Sequence, residues 1–476
     1  MDSDDLYPSY AGNAGEKRKS QKGGGGGGDR NSNKEAYERA QRGRDRMKSL
    51  GWIKTGVLLC VDAIALGALS LPGAYATLGM VPGVLLTVFL GILATYAGSL
   101  TGSFFLRNPT IRSYGDAGWH LFAPLGPRWA RWGYETFSWW LCVLLVFNMA
   151  SHTLTGTLMW QSITGAAASS VCSLAWVGIS AAILFLFALP PTFADFAWLG
   201  YIDFASIVVV IVATFVLTGV DTQNNKPGGL AGVDWSVLPP PGTTFAQAMN
   251  AVGSIVFAYS FNTVLFSLQV EMHHPKDIHK SVALVGAAQV FIYVVTGAVI
   301  LRFVGNEVKS PAILSDPGVS QRVVFGLAIP VIFISGSING NVVAKLVHGR
   351  LMGGTRHRYI NTFKGWGVWI LILLVEAALS FVIAEAIPIF SDLLSLISAL
   401  FISLYSFGIP AIFWLVALRQ GSPFARHNWG HLVMSTTTVV VASFVLVGGL
   451  YASISAIKEE YATGAVRAPF NCAALG

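Results

Sequence analysis

The chain has 476 residues, of which 53% are hydrophobic and only 12% are charged. A soluble globular protein carries about twice that share of charged residues. The charges are also unevenly distributed, since the first 50 residues hold 19 and the other 426 hold 36. A sequence so poor in charge cannot cover a water-exposed surface. This excludes a soluble enzyme, a nucleic-acid-binding protein and a secreted disulfide scaffold, and indicates a polytopic membrane protein.

Residues 1–50 are predicted to be a disordered cytoplasmic tail. They contain six consecutive glycines, Gly23 to Gly28, many charges and almost no aliphatic residues, so they cannot form a core. The tail begins with acidic residues and has no apolar run, so we expect no cleavable signal peptide. The net charge of +7 does not indicate a nucleic-acid partner, because the basic residues lie in the tail and loops rather than on one patch.

Eleven apolar segments follow, each long enough for the ~20 residues that a membrane-spanning helix needs. None shows the alternation of a membrane β-barrel, so the fold class is an all-α membrane protein in a lipid bilayer. Segments 1 to 11 are predicted at 54–78, 80–106, 129–161, 174–192, 196–220, 245–269, 281–303, 321–347, 366–386, 392–418 and 431–457.

The loop charges predict the orientation of the chain. If the N-terminus is cytoplasmic, 19 Lys and Arg residues near the segments lie on the cytoplasmic side and six lie outside. Positive charge is enriched on the cytoplasmic side of membrane proteins, so we predict this orientation. After an odd number of spans, residues 458–476 form an extracellular C-terminal tail.

Segment 1 contains an interruption at Gly67 to Pro72. Proline removes a backbone donor and clashes with the carbonyl four residues earlier, and glycine loosens the same stretch. We expect an unwound middle, whose freed backbone groups must line a cavity or site because they cannot face lipid. The alternative is a simple proline kink.

Segment 6 has small and polar residues from Gly253 to Asn262. Ala258 lies 13 residues into this segment, as Gly67 does in segment 1, and the two segments enter the membrane from opposite sides. Paired interruptions of this kind indicate a transporter built from inverted repeats with its site at the midplane. We predict a 5+5 inverted repeat, 51–220 and 245–418, with discontinuous helices 1 and 6, plus one extra helix at 431–457.

The two interruptions suggest the class of substrate. A broken helix offers a positive N-terminal end to an anion and a negative C-terminal end to a cation, and two such helices suit the zwitterion of an α-amino acid. No charged partner lies nearby in sequence, which favours a neutral side chain, and the aromatic residues allow a large one. The predicted substrate-binding residues are Gly67, Ala68, Leu69, Ser70, Phe257, Ala258, Tyr259, Ser260 and Phe147.

Four motifs carry a resemblance to a known family. They are IALGALSLP at 64–72, YGDAG at 114–118, EMHHPK at 271–276 and PVIFISGSIN at 330–339. With them the chain resembles the amino acid/auxin permease family of the amino acid–polyamine–organocation superfamily over about 52–470. It is most similar to the filamentous-fungal neutral amino acid permeases of the methyltryptophan-resistance type. The resemblance implies a plasma-membrane, proton-coupled importer of neutral aliphatic and aromatic amino acids.

Two acidic residues within the apolar segments are candidates for carrying the coupling proton. Asp62 precedes the first interruption by about one and a half turns, and Asp203 lies in the inner half of segment 5. Charges inside a membrane usually face a partner or an aqueous path, and the alternative is a satisfied helix–helix hydrogen bond. Glu376 and His152 are weaker candidates.

Polar residues in segment 8 form a second group. Ser335, Ser337 and Asn339 interrupt an otherwise apolar run. They are predicted to line an ion or water path, and in related folds this helix supplies hydroxyls to a sodium site. The alternative is that small residues here permit close helix packing.

Cys172 and Cys472 are predicted to form a disulfide. The topology places both outside, in an oxidising compartment where a disulfide persists, whereas Cys60 and Cys142 lie within segments. Four cysteines are too few for a disulfide framework, and there is no CxxC pair or HExxH motif. We therefore expect no metal and no cofactor.

These features predict a secondary active transporter that works by alternating access, without covalent chemistry. Its partners are a neutral amino acid substrate and a coupling proton, with sodium as the less favoured ion. Two alternatives remain, an amino-acid-binding nutrient sensor with the same fold and a sodium-coupled symporter. An enzyme is disfavoured because no buried nucleophile–base pair or metal-ligand set is visible.

Overall fold

A computed structural model describes residues 50–165, 171–191, 197–315, 318–353, 355, 357, 360, 362–464, 466 and 468–472. The predicted disordered tail, apart from Leu50, lies outside these residues. The regular structure of the described residues is helical, apart from one backbone bridge between Leu50 and Met272. The all-α fold class is confirmed.

Each of the eleven predicted segments corresponds to a helix, called here spans 1 to 11. Nine helices of the described part are long and apolar enough to cross a membrane, and span 1, which is bent, is a tenth. Their bounds are Trp52–Leu78, Met80–Arg107, Pro127–Thr164, Ser173–Ala188, Ala197–Asn225, Phe245–Ala258 continued by Leu265–Val270, Ile278–Val304, Val319–Leu351, Phe363–Ala386, Phe390–Leu418 and Trp429–Thr463.

Several boundaries differ by a few residues from the sequence-based ones, among them the ends of spans 4 and 11. Span 4 has only 16 residues and ends at Ala188, before Pro190 and Pro191, because proline lacks the backbone N–H that would continue the helical hydrogen bonds. Span 11 continues to Thr463, so residues 458–463, predicted to belong to the C-terminal tail, extend the helix.

Contacts between the spans follow the pattern expected of two equivalent five-helix units. Each of spans 1 to 4 contacts its counterpart five spans later, so that 1 packs on 6, 2 on 7, 3 on 8 and 4 on 9. The cross-contacts are also reciprocal. Span 1 contacts span 7 as span 6 contacts span 2, and span 5 contacts span 8 as span 10 contacts span 3. Span 11 lies outside this scheme and packs on spans 6 and 10.

The bundle is apolar on its outside and polar at selected places within. Large aliphatic and aromatic side chains such as Val212, Phe291 and Val447 are more than half exposed on the spans. In water such a surface would aggregate, but in a bilayer it faces lipid. Polar residues such as Asp203 and Asn262 are instead buried between spans. Intramembrane ionisable groups in the interior mark the candidate site.

A short helix between spans 2 and 3, Tyr114–Phe122, contacts span 6. It lies on the face of the bundle at which span 1 begins, called here the N-terminal side. Ser113 and Asp116 form a capping box at its start, in which each side chain satisfies a backbone N–H of the other residue. This places the Tyr114 hydroxyl 2.8 Å from the carbonyl oxygen of Asn262. The YGDAG motif thus positions the interruption in span 6.

The opposite face, called here the C-terminal side, carries a covalent link. Cys172 and Cys472 form a disulfide, with their Cα atoms 4.4 Å apart. The Ser173 N–H donates to the Cys472 carbonyl at 3.4 Å, and the Phe470 N–H donates to Glu385 Oε2 at 3.3 Å. The segment after span 11 therefore passes over span 9 and is fixed at the start of span 4.

Candidate functional site

Span 6 is broken at mid-depth. Its first helix ends at Ala258, Tyr259 has a non-helical backbone (φ −98°, ψ 42°), and a 3₁₀ turn spans Phe261–Val264 before the helix resumes at Leu265. A helix end leaves backbone carbonyls without intrahelical donors. The sequence pattern located this discontinuity within a few residues.

Span 1 is interrupted differently. It is helical from Trp52 to Leu78, with Pro72 inside the helix, and bends by 51° between Trp52–Ile64 and Gly67–Leu78. The expected unwinding of the Gly67–Pro72 stretch is not seen. Proline removes only one backbone donor, and the Ser70 hydroxyl bonds the Gly67 carbonyl at 2.8 Å within the same turn. The backbone therefore changes direction with little loss of hydrogen bonds.

The two interruptions lie in direct contact. A Cβ atom placed on Gly67 would be 2.8 Å from the Cα and 3.0 Å from the Cβ of Ala258. Real Cβ atoms almost never approach backbone so closely, so glycine is needed for the two helices to cross here. The equivalent positions of Gly67 and Ala258 in their segments thus correspond to one point in space.

Tyr293 of span 7 joins both interruptions. Its hydroxyl lies 2.7 Å from the Ala258 carbonyl oxygen and 3.0 Å from that of Ala63. Gln289, one turn earlier, donates its Nε2 to the Ala258 carbonyl at 3.3 Å. Sequence reasoning missed this pair. Its signal is two polar residues four apart on one face of an apolar helix.

Neutral side chains hold the rest of the span 6 break. The Tyr259 hydroxyl donates to the Thr87 carbonyl of span 2 at 2.8 Å. Asn262, fully buried, donates to the Ser406 carbonyl of span 10 at 3.0 Å. Buried backbone carbonyls without donors are costly, and these side chains satisfy carbonyls on two neighbouring spans while fixing the break in place.

An acidic site adjoins the bend in span 1. Asp203 of span 5 is 1% exposed, and its Oδ2 accepts a hydrogen bond from the Ser335 hydroxyl of span 8 at 2.5 Å. Its Oδ1 is buried without a hydrogen-bond donor among the described residues. The half-buried carboxyl of Asp62 lies close enough to interact electrostatically with that of Asp203. Spans 1, 5 and 8 thus bring both predicted acids together with one predicted hydroxyl.

The other two predicted residues of span 8, Ser337 and Asn339, do not bond the carboxyls of Asp62 or Asp203 in the hydrogen bonds of the described residues. The Ser337 hydroxyl donates to the Ile334 carbonyl at 2.8 Å, and Asn339 Nδ2 donates to the Ser335 carbonyl at 3.0 Å. Both bonds stay within the helix, as expected where small polar residues serve packing.

The remaining predicted substrate residues lie at or near the interruptions. Leu69 and Phe257 are buried in the main apolar core, as are Ala68 and Ala258, and Ser260 is buried at the break. Phe147 of span 3 packs on Phe401 of span 10, with ring centroids 5.6 Å apart. The place of Phe147 in the substrate site stays a prediction from the sequence.

The weaker proton candidates lie on the other face of span 8. Glu376 is 2% exposed, and both of its carboxyl oxygens lack a hydrogen-bond partner within the described part of the chain. A Cβ on Gly340 would lie 3.4 Å from Glu376 Oε2, and one on Gly336 would meet the ring of His152. His152 of span 3 and Glu376 of span 9 therefore lie where spans 3, 8 and 9 meet, rather than at the bend in span 1.

Comparison with known proteins points to one family. The family model described as "Transmembrane amino acid transporter protein" matches residues 48–455. The "N amino acid transport system protein" of Neurospora crassa is 44% identical over 436 residues, which cover 92% of this chain and 91% of that protein. The "Amino acid transporter AVT3C" of Arabidopsis thaliana is 23% identical, covering 85% and 90%.

Two solved transporters are similar in structure. Mhp1, of the nucleobase-cation-symport-1 family, has a TM-score of 0.49 and 17% identity, covering 88% of this chain and 94% of that one. The manganese transporter of Eremococcus coleocola also has a TM-score of 0.49, with 12% identity, covering 86% and 92%.

Proposed function

This chain belongs to the transmembrane amino acid transporter family, and from that premise we propose that it imports neutral amino acids, aliphatic and aromatic, by proton symport across the plasma membrane. The proposal is a transporter that alternates between outward-open and inward-open states. The N-terminus would be cytoplasmic and the C-terminus extracellular, as the distribution of Lys and Arg indicates.

The observation that carries the proposal is the contact between the two interruptions at Gly67 and Ala258. Opening of the bend in span 1 at Gly67 during transport would free backbone amides of its second half, which suit a carboxylate. The first half of span 6 ends at Ala258, so its C-terminal carbonyls suit an ammonium group. An amino acid zwitterion bound there would place its ammonium group at the Ala258 carbonyl oxygen. The ammonium would replace the Tyr293 hydroxyl, which occupies that position now.

The side chains beside the interruptions support a neutral substrate. Leu69, Phe257, Tyr259 and Ser260 carry no charge, and three of the four are large and apolar or aromatic. A charged substrate side chain would need an opposite charge when it leaves water. The same apolar surface favours aliphatic and aromatic groups.

The acidic site on spans 1, 5 and 8 supports proton coupling. Ionised carboxylates in a membrane interior are costly unless a cation or several hydrogen bonds compensate them, and Asp203 has one hydroxyl donor. Binding a proton removes that cost without a coordination shell.

Reconstituted full-length protein tests the proposal directly. We expect uptake of radiolabelled neutral amino acids into liposomes that rises as the external pH falls, collapses with a protonophore and is unchanged when choline replaces sodium. Basic and acidic amino acids should compete weakly. Binding without accumulation would identify a sensor instead, and a sodium requirement would contradict the proton assignment.

A further inference from the structure

Two carboxyl groups face each other near the C-terminal side, away from the acidic site of spans 1, 5 and 8. Asp392 lies at the start of span 10 and is 3% exposed, and Glu460 lies near the end of span 11. Their carboxyls are within hydrogen-bonding distance of each other. Asp392 Oδ2 and Glu460 Oε2 are both buried and receive no hydrogen bond from a protein donor among the described residues.

This arrangement requires a proton between the two groups. Two carboxylates are acceptors only, so two ionised ones at this separation repel each other, whereas one shared proton converts the contact into an O–H···O bond. Within the described part of the chain, no Lys or Arg forms an ion pair with either group. The proton is therefore the ligand that fits.

Among the other titratable groups around the pair, Lys458 lies two residues before Glu460 on span 11 but forms no ion pair with it within the described part of the chain. Glu459 adds a further negative charge next to Glu460. Glu385, at the end of span 9, accepts the Phe470 N–H. On span 3, His152 lies against Gly336 of span 8, and the first half of span 6 has no titratable side chain.

Hydrogen bonds connect the pair to the broken span 6. Asn250 Nδ2 donates to Asp392 Oδ1 at 2.8 Å, and the Ser453 hydroxyl of span 11 donates to Asn250 Oδ1 at 3.3 Å. One turn further in, the Ser398 hydroxyl of span 10 donates to the Gly253 carbonyl at 2.7 Å. Asn250 and Gly253 belong to the half-helix that ends at Ala258, so spans 10 and 11 hold the segment that leads into the candidate substrate site.

We propose that Asp392 and Glu460 form a proton-binding pair on the C-terminal side, and that the bound proton holds spans 10 and 11 against the first half of span 6. Loss of the proton leaves two facing negative charges, which separate span 11 from span 10 and release the half-helix. Span 11 thus acquires a role although it lies outside the two repeats. This inference rests on the proposed transport function and adds a second proton site, distinct from that at Asp203.

Infrared difference spectroscopy of the purified full-length protein in lipid, between acidic and alkaline buffer, tests the pair without requiring transport. We expect Glu460→Gln to remove one component of the carboxylic acid C=O band. Asp392→Asn should remove the same component, and the double variant should remove no more, because a shared proton belongs to the pair. The control is Glu307→Gln, whose carboxyl is exposed and which should keep that component.

The uptake assay supplies the second readout. In liposomes, Glu460→Gln should lose part of the dependence of the uptake rate on external pH, while Glu307→Gln, at an exposed carboxyl, keeps the wild-type profile. If Asp392→Asn and Glu460→Gln remove different components of the C=O band and the losses add in the double variant, the two carboxyls are independent and the pair is refuted. An unchanged band together with an unchanged pH profile in Glu460→Gln would also refute it. If the wild type fails to transport amino acids but the shared band is present, the transport proposal fails and the proton-binding pair stands.

Discussion

Spans 1 and 6 occupy equivalent places in the two repeats but are interrupted in different ways. Span 6 loses its helix over Tyr259–Val264, whereas span 1 keeps its helix and bends by 51°. Neutral groups, from Tyr259, Asn262 and Gln289, surround the break in span 6. Two carboxyls, from Asp62 and Asp203, adjoin the bend in span 1.

We infer that the two interruptions have separate tasks. Neutral amides and hydroxyls do not change charge with pH near neutrality, so under the proposed function the break in span 6 would be a fixed frame for a ligand. Carboxyl groups gain or lose charge when they bind a proton, so the surroundings of span 1 would respond to an ion. Tyr293 lies within hydrogen-bonding distance of backbone carbonyls of both spans, and through it one interruption would affect the other.

The largest effect is expected where the two spans touch. Gly67→Leu should abolish uptake, because even a Cβ at this position would lie 2.8 Å from the Ala258 backbone. Gly67→Ala should reduce uptake strongly, and adding Ala258→Gly should restore part of it by removing one of the two close contacts. Gly178→Ala is the control, because nothing lies within 4 Å of the added Cβ. Full uptake by Gly67→Ala would show that the close crossing is unnecessary.

Replacing the acid beside span 1 should uncouple transport. Asp203→Asn is expected to lower the accumulation ratio by about tenfold or more, which corresponds to ~1.4 kcal/mol of lost driving force, while exchange of bound substrate persists. Asp62→Asn, measured separately, shows which acid carries the proton. Asp221→Asn is a matched control, because Asp221 also bonds a span 8 serine, Ser320, but near the C-terminal side. Normal accumulation in both Asp203→Asn and Asp62→Asn would refute this assignment.

The link between the two interruptions should show an intermediate effect. Tyr293→Phe removes the hydroxyl and leaves the Ala63 and Ala258 carbonyls with one donor fewer, at a cost of about 1–3 kcal/mol. We expect both substrate affinity and proton coupling to weaken, measured by equilibrium binding and by the accumulation ratio. Tyr451→Phe, at an exposed site on span 11, should change neither. A change in substrate affinity without a change in proton coupling would show that the Tyr293 hydroxyl acts only on the break in span 6.

The smallest effect on transport is expected from the disulfide. It closes a loop of 300 residues, and losing it should lower the free energy of unfolding by about 2–4 kcal/mol. The uptake rate should change little, since the bond joins the start of span 4 to the segment after span 11 and neither interruption is part of it. Cys172→Ser, Cys472→Ser and the double variant should have equal melting temperatures. Unequal values would indicate that the cysteines act separately.

The sequence determined the class of the fold and the place of its interruptions. Spanning helices in lipid must satisfy their own backbone hydrogen bonds, so a run of apolar residues is by itself a strong constraint. The all-α class and the corresponding places of Gly67 and Ala258 therefore followed from composition and spacing. The form of the interruption in span 1 did not, because a proline is compatible with either a bend or an unwound stretch.

The tertiary structure alone decided which side chains meet. Asp203 and Ser335 are 132 residues apart, Tyr293 is 230 residues from Ala63, and the Asn250–Asp392 bond joins residues 142 positions apart. Sequence spacing identifies neighbours within a helix but carries no measure of distance between helices. Partners across the bundle are set by how the spans pack, so the joint position of Tyr293 and the facing carboxyls of Asp392 and Glu460 became visible only in the folded molecule.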